Sequence, residues 1–315
     1  MSTTGYVWDA GYLGYSPSSV IPERPGRAEV LAPTEMCRDL PGLKLVPVDV
    51  ALGQPWLGRV HEADYIDLVR TAHAQGRTSL DRSREVLVRE DVYPVSVLSV
   101  SGALSLVSAV ARGEVDNGFG AIRPPGHHAG VNNARGFCVF NNAAICARFA
   151  QQALGLSQVL LVDWDVHPAD GTSSIFYEDP TVHVVSVHQA GIFSDNVGLT
   201  SQRGRGEGEG TTYNLPLDPG CGEEQYVAEL FPLLEHAAER CRPDVIIVSC
   251  GFDAHAGDPI GAMNLQDATY LRFTRKLREL AKHYARGRIV SLLEGGYELS
   301  LLRRCTREHL AGLME

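Results

Sequence analysis

The sequence predicts an α/β fold, in which helices cover both faces of a parallel β-sheet. The first observation is a set of apolar runs of strand length, rich in Val, Ile and Leu, at residues 159–164, 182–187, 245–249 and 289–293. Runs that are apolar on both faces are typical of strands buried on both sides, as in parallel sheets. The second observation is that helical patterns at residues 223–240 and 265–284 separate these runs, as expected of crossover connections.

The elements before these strands follow from local composition. Residues 16–27 (SPSSVIPERPGR) are dense in Pro and Arg, which predicts an ordered loop. Residues 96–111 are apolar nearly all round and predict a buried helix that ends at Gly113. The other predicted elements are a strand at residues 118–122 and helices at residues 27–38, 63–75 and 141–154.

Length and composition favour one domain that covers residues 1–315. The chain contains no internal repeat, low-complexity tract or charge run long enough to be a linker. No apolar run approaches about 18 residues, so a membrane span is not expected. The amino terminus has no basic segment followed by an apolar one and does not resemble a signal peptide, so we expect a cytoplasmic protein.

Charge and cysteine content narrow the choice of partners. The formal net charge is -10, so nucleic acid is not expected as a direct partner, because phosphate binding needs a basic surface. The same charge weakly favours cationic substrates, such as a Lys-rich tail or a polyamine. The seven cysteines contain no CxxC pair and are predicted to be mostly buried, reduced thiols.

Four polar motifs directly follow four of the predicted strands. They are RPPGHHAG with His127 and His128, VDWDVHPADG with Asp163, Asp165 and His167, SCGFDAHAGDP with Asp253, and LEGGYEL with Tyr297. In open parallel α/β sheets, ligands bind outside the carboxyl ends of the strands. We therefore expect the four motifs to meet in one site.

Asp165, His167 and Asp253 are the candidate metal ligands. Two carboxylates and one imidazole leave coordination positions open for water and substrate, as in catalytic metal sites. Zn(II) fits this set of ligands, and Fe(II) suits it nearly as well. The alternatives are a strand-to-helix loop in which an Asp caps the helix and, for Asp253, a loop carboxylate before a turn.

His127 and His128 are the candidates for proton transfer. An adjacent imidazole pair can supply a general base for water and a general acid for a leaving amine. Asp163 and Asp170 flank the candidate ligands and are expected to set the tautomer and basicity of the two rings. The hydroxyl of Tyr297 can stabilise a developing oxyanion, although a buried structural tyrosine is the ordinary alternative for this motif alone.

Together these groups predict metal-assisted hydrolysis of an amide. The chain has no G-x-S-x-G serine motif, no H-E-x-x-H and no zinc-deaminase pattern of H-x-E with P-C-x-x-C. The predicted chemistry therefore depends on the residues named above.

Nine successive stretches carry a resemblance to a known family. They are IPERPGR (21–27), VHEADYI (60–66), NGFGAIRPPGHHA (117–129), GFCVFNNAAI (136–145), VDWDVHPADGT (162–172), VVSVHQ (184–189), YNLPL (213–217), SCGFDAHAGDPIGAMNL (249–265) and LLEGGYEL (292–299). In this order they resemble the zinc-dependent histone deacetylase and acetylpolyamine amidohydrolase family, in particular its class II-like bacterial branch. The resemblance implies the arginase-deacetylase fold, with a mainly parallel sheet of about eight strands.

The resemblance also implies roles for the residues of the site. His128 would be the principal general base for a metal-bound water, with His127 as its electrostatic or acid partner. Tyr297 would polarise the substrate carbonyl. The implied ligands, for one Zn(II) or Fe(II) per chain, are Asp165, His167 and Asp253.

Further residues would form a narrow substrate tunnel by the same resemblance. Phe137 and Phe193 would be its walls, and the carbonyl of Gly136 would accept the amide N–H of the substrate. Ile260 would stand at the gate of the tunnel. Asp91 would grip the substrate backbone at the rim, and Arg24 would lie below the catalytic floor. A structural K+ or Na+ site is implied at the backbone carbonyls of Asp163, Asp165 and His167, with Ser186 and Val187.

The implied activity is removal of an acetyl or related acyl group from an acylated amine, in the first interpretation an N-acetyl-lysine-like group. An acetylpolyamine or a small-molecule biosynthetic amide is the alternative, but Ile260 is apolar where polyamine-specialised relatives carry Glu. A catalytically silent acyl-lysine binding module would be expected to lack the Tyr or a ligand. Ureohydrolase chemistry on this fold needs two metals, and the sequence Asp253-Ala254-His255 predicts one. Assembly into a homo-oligomer is left open.

Overall fold

The computed structural model describes residues 2–193 and 196–315, with one eight-stranded sheet at the centre. The strands are β1 (Thr4–Val7), β2 (Lys44–Leu45), β3 (Asn117–Gly120), β4 (Val159–Asp163), β5 (Val182–Gln189), β6 (Thr212–Leu217), β7 (Val245–Cys250) and β8 (Ile289–Leu293). Their order across the sheet is β2-β1-β3-β8-β7-β4-β5-β6, and the neighbouring strands pair in parallel. The predicted fold class is confirmed.

Helices lie on both faces of this sheet. In the described part of the chain they are α1 (Gly26–Glu29), α2 (Pro33–Asp39), α3 (Gly53–Trp56), α4 (Ala63–Thr71), α5 (Val92–Ala111), α6 (Asn142–Leu154), α7 (Asp170–Ile175), α8 (Glu223–Cys241), α9 (Asp267–Tyr284) and α10 (Leu299–Met314). Helices α5 and α6 share one apolar core with the sheet, and α8, α9 and α10 share the other.

The central strands divide their side chains between the two cores. Leu161 and Ile247 face the core of α5 and α6, whereas Leu160 and Ile246 face the core of α8, α9 and α10. This alternation follows from the two-residue repeat of a strand, and each core buries the branched side chains of one face. The strands are apolar throughout because both of their faces are covered.

Helix α5 is the most apolar helix of the fold. By length and composition it could cross a membrane, but 78% of its most apolar window is buried inside the protein. Val100, Leu104 and Val107 contribute to the core on their face of the sheet. The helix begins at Val92, earlier than the predicted residue 96, and is the central core helix on its side.

Three differences from the predicted elements have local causes. The region 27–38 forms α1 and α2 instead of one helix, because Pro33 starts the second helix and Ala32 before it is extended, with ψ 145°. Strands β1 and β3 each contain glycine and are short. A Cβ on Gly118 would lie 2.7 Å from the carbonyl oxygen of Gly5, so this close strand pairing needs glycine in place of the β-branched residues that mark other strands. Strands β1, β2 and β6 and helices α3, α7 and α10 were not predicted.

The strand order places the four polar motifs side by side. Strands β3, β8, β7 and β4 are consecutive neighbours, and each is followed directly by one motif. Because the strands are parallel, their carboxyl ends lie at the same edge of the sheet.

Candidate active site

Asp165, His167 and Asp253 meet at this edge and are buried. One potential ligand atom from each lies within 4.8 Å of the others. Nδ1 of His167 is 2.9 Å from Oδ1 of Asp165 and 3.4 Å from Oδ2 of Asp253. The predicted metal ligands are therefore brought together by two loops, one after β4 and one after β7.

Backbone N–H groups hold the two carboxylates in place. The N–H of Val166 donates to Oδ1 of Asp253 at 2.9 Å, and the N–H of Gly295 donates to Oδ2 of Asp165 at 2.7 Å. Oδ2 of Asp253 is buried and has no hydrogen-bond partner among the described residues. It is an oxygen available to a ligand that the protein itself does not provide.

The environment of these residues fits a divalent cation. Burial and then the negative charge of Asp165 raise the pKa of Asp253 to about 7, which a cation between the carboxylates would reverse. A Cβ on Gly295 would lie 2.1 Å from Oδ2 of Asp253, and one on Gly251 would lie 2.2 Å from Oδ2 of Asp165. Two glycines thus keep the space beside the oxygens open. Two carboxylates and one imidazole are a donor set for Zn(II) or Fe(II).

The two adjacent histidines each have a carboxylate of their own. Nδ1 of His127 lies 2.8 Å from Oδ2 of Asp163, and Nδ1 of His128 lies 2.6 Å from Oδ1 of Asp170. The ring centroids of the pair are 3.9 Å apart. A carboxylate only accepts, so Nδ1 of each ring donates, and Nε2 of a neutral ring is left as the acceptor. The predicted pairing of His127 with Asp163 and of His128 with Asp170 is present in the structure.

The two histidines differ in charge. Burial alone would lower the pKa of His127, but Asp163, Asp165 and Glu294 outweigh it and raise this pKa well above its ordinary value. Burial and then the neighbouring charge of His127 lower the pKa of His128 to about 4, against the opposing effect of Asp170. At neutral pH, His127 carries the proton and His128 is the neutral base.

Tyr297 lies on the loop after β8 and is 7% exposed. Burial raises the pKa of its hydroxyl well above the ordinary value, so the hydroxyl stays protonated and can donate. Gly296 before it has φ 112°, a value that favours glycine. The Tyr297 ring centroid lies 5.7 Å from that of Phe137 and 4.9 Å from the guanidinium carbon of Arg27.

Two of the predicted tunnel residues, Phe193 and Gly136, lie against the ring of His128. The ring of Phe193 lies 4.5 Å from that of His128 and 5.2 Å from that of His167 between centroids. A Cβ on Gly136 would lie 2.3 Å from Cδ2 of His128, and its φ is 50°, so this position needs glycine. Ile260 is half-buried, as a gate residue would be.

The structure places one arginine differently from the prediction. Arg24 is exposed, and Arg27 is the arginine buried below the loop of Tyr297, donating to the Gly296 carbonyl at 2.8 Å and to the Glu294 carbonyl. Helix α1 turns position 27 inward, and the motif PERPGR offers both arginines without distinguishing them.

Asp91 directly precedes α5, and its carboxylate lies close to Gly14. It is Glu85 that accepts a hydrogen bond from the N–H of Gly136, at 3.3 Å. Glu85 is thus a carboxylate, not predicted from the sequence, that contacts the segment of the tunnel wall. The role of Asp91 at the rim stays a prediction.

Two buried carboxylates were not predicted. Oδ2 of Asp258 accepts from the N–H of Tyr297 at 2.7 Å, and its Oδ1 accepts from the N–H of Ile260 at 3.0 Å. Glu294 accepts from the N–H of Gly126 at 2.7 Å, and burial is the main cause that raises its pKa to about 7. Asp258 lies in the motif GDPIG, and Glu294 lies in the motif LEGGYEL. The predicted chemistry of these two regions was assigned to the neighbouring residues Asp253 and Tyr297.

A second cluster of His255, Asp267 and Cys305 does not have the chemistry of a metal site. Nδ1 of His255 accepts the N–H of Gly257 at 3.0 Å, so Nε2 carries the ring proton, and this nitrogen lies 3.0 Å from Oδ1 of Asp267. A metal ligand at Nε2 would need that position deprotonated. Ser186 lies beside the β4 loop, and its Oγ accepts from the N–H of Ala169 at 3.1 Å, while the implied K+ or Na+ site stays a prediction.

Comparison with known proteins agrees with this geometry. A family model described as the histone deacetylase domain matches residues 21–313. Histone deacetylase 10, chloroplastic, of Oryza sativa subsp. japonica is 38% identical over 252 residues, covering 77% of this chain and 57% of that protein. Polyamine deacetylase HDAC10 of Homo sapiens is 39% identical over 259 residues, covering 78% and 38% respectively. This chain thus spans about half the length of these relatives or less.

Among solved structures, the crystal structure of the HDA15 HD domain matches the fold with a TM-score of 0.91 at 33% sequence identity. The match covers 100% of this chain and 89% of that one. The similarity therefore extends over the sheet, both helical layers and the loops that carry the site.

Proposed function

This chain belongs to the histone deacetylase family, and we propose that it is a metal-dependent deacylase that removes an acetyl or related acyl group from an acylated amine, N-acetyl-lysine-like in the first instance. One observation carries the proposal: the three candidate ligands, the two carboxylate-paired histidines and Tyr297 meet at a single edge of the sheet. Metal-assisted amide hydrolysis needs these groups together.

The tunnel residues would hold the substrate in an extended form. Phe137 and Phe193 would contact the aliphatic part of the acylated amine, which favours a narrow unbranched chain. The carbonyl of Gly136, which accepts from Sγ of Cys138 at 3.3 Å, would also accept the amide N–H of the substrate. These contacts would place the amide carbonyl between the histidines and Tyr297.

The reaction joins water to the acyl carbon and breaks the bond to the amine nitrogen. A divalent cation held by Asp165, His167 and Asp253 would supply a Lewis acid for the carbonyl and lower the pKa of water. His128 takes a proton from the attacking water at Nε2, because Nδ1 is held by Asp170.

Tyr297 donates its hydroxyl hydrogen to the oxyanion, which its raised pKa allows it to do without ionising. The positive charge of His127 stabilises the same developing negative charge. The proton that reaches the leaving amine comes from the histidine pair, and the products are the free amine and the carboxylic acid.

Ile260 supports acyl-lysine over acetylpolyamine, because an apolar gate gives no charge to bind the distal amine of a polyamine. The similarity to a polyamine deacetylase and the net charge of -10 support acetylpolyamines as the second candidate. A cytoplasmic location, the absence of direct nucleic-acid binding and the homo-oligomer remain predictions of the sequence.

The test compares purified, Zn(II)-loaded protein on acetyl-lysine peptides, longer acyl-lysine peptides, N-acetylputrescine and acetylspermidine. We expect the highest kcat/KM on an acyl-lysine peptide. The variants Tyr297→Phe and His128→Ala should each lose about 100-fold or more in kcat while keeping the metal and the melting temperature. A strong preference for the diamine would move the substrate to the second candidate, and activity retained in His128→Ala would contradict the mechanism.

A further inference from the structure

Arg135 directly precedes the tunnel segment and contacts two residues of the proposed site at once. Its Nη1 donates to Oδ2 of Asp170 at 2.6 Å. Its guanidinium carbon lies over the ring of Phe193, 4.2 Å from the centroid. The side chain of Arg135 is 35% exposed, whereas that of Asp170 is 16% exposed.

These contacts close a ring of four side chains. Arg135 pairs with Asp170, Asp170 accepts from Nδ1 of His128, the His128 ring packs against Phe193, and Phe193 packs against Arg135. Each oxygen of Asp170 thus has its own partner: Oδ1 is bonded to His128 and Oδ2 to Arg135. Rotation of the carboxylate would break both contacts.

We propose that Arg135 is a positioning residue that couples the tunnel wall at Phe193 to the orientation of His128 through Asp170. The inference rests on the proposed deacylase function, because His128 is its general base. With both oxygens of Asp170 fixed, Nδ1 of His128 has one acceptor position, so the His128 ring has one orientation and Nε2 points in one direction. A carboxylate held by the histidine alone could rotate about the Cβ–Cγ bond of Asp170, and the His128 ring would then adopt a wider range of orientations.

The geometry explains why an arginine serves here. Its planar guanidinium can donate along its edge to a carboxylate while its face lies on an aromatic ring. A lysine carries one compact charge and can pair with Asp170 without stacking flat on Phe193. The face-on contact over the ring adds a cation–π attraction that holds Phe193 in place as a wall.

The chain contains a matched control for this arrangement. Arg148 pairs with Asp179 at 2.6 Å, and its guanidinium carbon lies 4.7 Å from the ring centroid of Phe176. The same three residue types make the same contacts, with no histidine attached to the carboxylate. The loss of such a cluster as a packing element can therefore be measured apart from any effect on His128.

The experiment measures kcat and KM of Zn(II)-loaded Arg135→Met, Arg135→Lys and Arg148→Met on the best acyl-amine substrate. Arg135→Met keeps an apolar stem over Phe193 and removes the ion pair. We expect it to lose about tenfold in kcat, as for residues that orient a catalytic group, at an unchanged metal content. Arg135→Lys should recover part of the loss, and Arg148→Met should keep the kcat of the unmodified protein.

A double-mutant cycle identifies the route of the effect. In an Asp170→Asn background, Arg135→Met should lower kcat by less than twofold further, because both changes act through the same oxygens. Additive losses, an unchanged kcat in Arg135→Met or an equal loss in Arg148→Met would each overturn the proposal.

A spectroscopic measurement separates this inference from the proposed function. The hydrogen-bonded Nδ1 proton of His128 should give a low-field ¹H NMR signal that is absent in His128→Ala. Arg135→Met should shift or broaden that signal, and Arg148→Met should leave it in place. If the protein hydrolyses no acyl amine but shows these spectral changes, the proposed function is refuted, while the coupling of Arg135 to His128 stands. If Arg135→Met leaves the signal unaltered, the coupling is refuted.

Discussion

His127 and His128 are neighbours in the chain, yet their surroundings assign them different protonation states. His127 faces Asp163, Asp165 and Glu294, and these carboxylates together raise its pKa despite burial. His128 has Asp170 and sits beside the charge of His127, and burial lowers its pKa to about 4. A bound divalent cation would lower the pKa of His128 further, which keeps His128 neutral and available as a base.

Asp253 gives a prediction about pH and metal binding. Its pKa in the folded chain is raised to about 7, above the value of an unfolded Asp, so it must lose a proton to bind a cation. Zn(II) should therefore stabilise the protein more strongly as the pH rises from about 6 to about 8. Without metal, the same group makes folding less favourable as the pH rises from about 4 to 7, because the folded state holds the proton more tightly.

Differential scanning fluorimetry at these pH values, with and without excess Zn(II), measures the rise in melting temperature that the metal causes. The variant Asp253→Asn, which lacks this carboxylate, should show a smaller rise in melting temperature at each pH. The pH dependence that remains would come from His167, whose pKa burial lowers but Asp165 and Asp253 together raise to about 10. A metal-induced rise that is the same or smaller at the higher pH in the unmodified protein would contradict the prediction.

At the scale of elements, each loop at the site is tied to its neighbours by a buried carboxylate. Asp258 joins the gate loop, through the N–H of Ile260, to the loop after β8, through the N–H of Tyr297. Glu294 joins the end of β8 to the histidine loop after β3, through the N–H of Gly126. Loops that leave adjacent strand ends thus behave as one connected layer above the sheet.

The variant Asp258→Asn tests this connection. An amide offers one acceptor oxygen where the carboxylate uses two, so either the gate loop or the Tyr297 loop loses its bond. We expect kcat to fall about tenfold and stability to fall by about 1–3 kcal/mol, the cost of a buried unsatisfied group. The exposed carboxylate Asp218 supplies the control Asp218→Asn, which should change neither.

If Asp258 acts by placing the hydroxyl of Tyr297, then Asp258→Asn should reduce kcat much less in a Tyr297→Phe background. The measurement is a four-point cycle of kcat at matched metal content. Equal losses in both backgrounds would show that Asp258 acts on something other than Tyr297.

At the scale of the whole molecule, the strand order decides how many metal ions the chain can hold. Strands β4, β7 and β8 are adjacent, so the three ligands and the glycines that leave them room come from one edge. Of the two other clusters among the described residues, the one at His255 has Nδ1 of its ring committed to the N–H of Gly257, and the one of His127, Cys138 and Glu294 has Nδ1 of its ring held by Asp163. We propose that residues 1–315 form one domain with one metal centre.

Metal analysis of the purified, dialysed protein should therefore find about one Zn(II) or Fe(II) per chain, since Asp165, His167 and Asp253 form the one open set of three ligands that we assign among the described residues. Removal of the ion with a chelator should abolish turnover and lower the melting temperature, and Zn(II) should restore both. A content of two ions per chain would favour two-metal hydrolysis and would contradict the single-site mechanism.

The sequence alone predicted the fold class, five of the eight strands and the residues that we propose to react. Branched apolar runs mark strands that are buried on both faces, and a motif directly after a parallel strand must lie at its carboxyl end. For this reason the order of residues along the chain was enough to assign Asp165, His167, Asp253 and the histidine pair to one site. Their partners Asp163 and Asp170 stand close enough in the chain to be inferred as well.

The tertiary structure decided the residues that support those groups. Arg27 takes the place expected of Arg24, and Glu85 contacts Gly136, a contact that was not predicted. The ring closed by Arg135 could not be inferred from local patterns. Each of these contacts joins segments far apart in the chain, and their geometry depends on loop paths that follow from packing and not from periodicity. Strand order fixes where loops begin, and only side-chain packing fixes which polar groups they bring into contact.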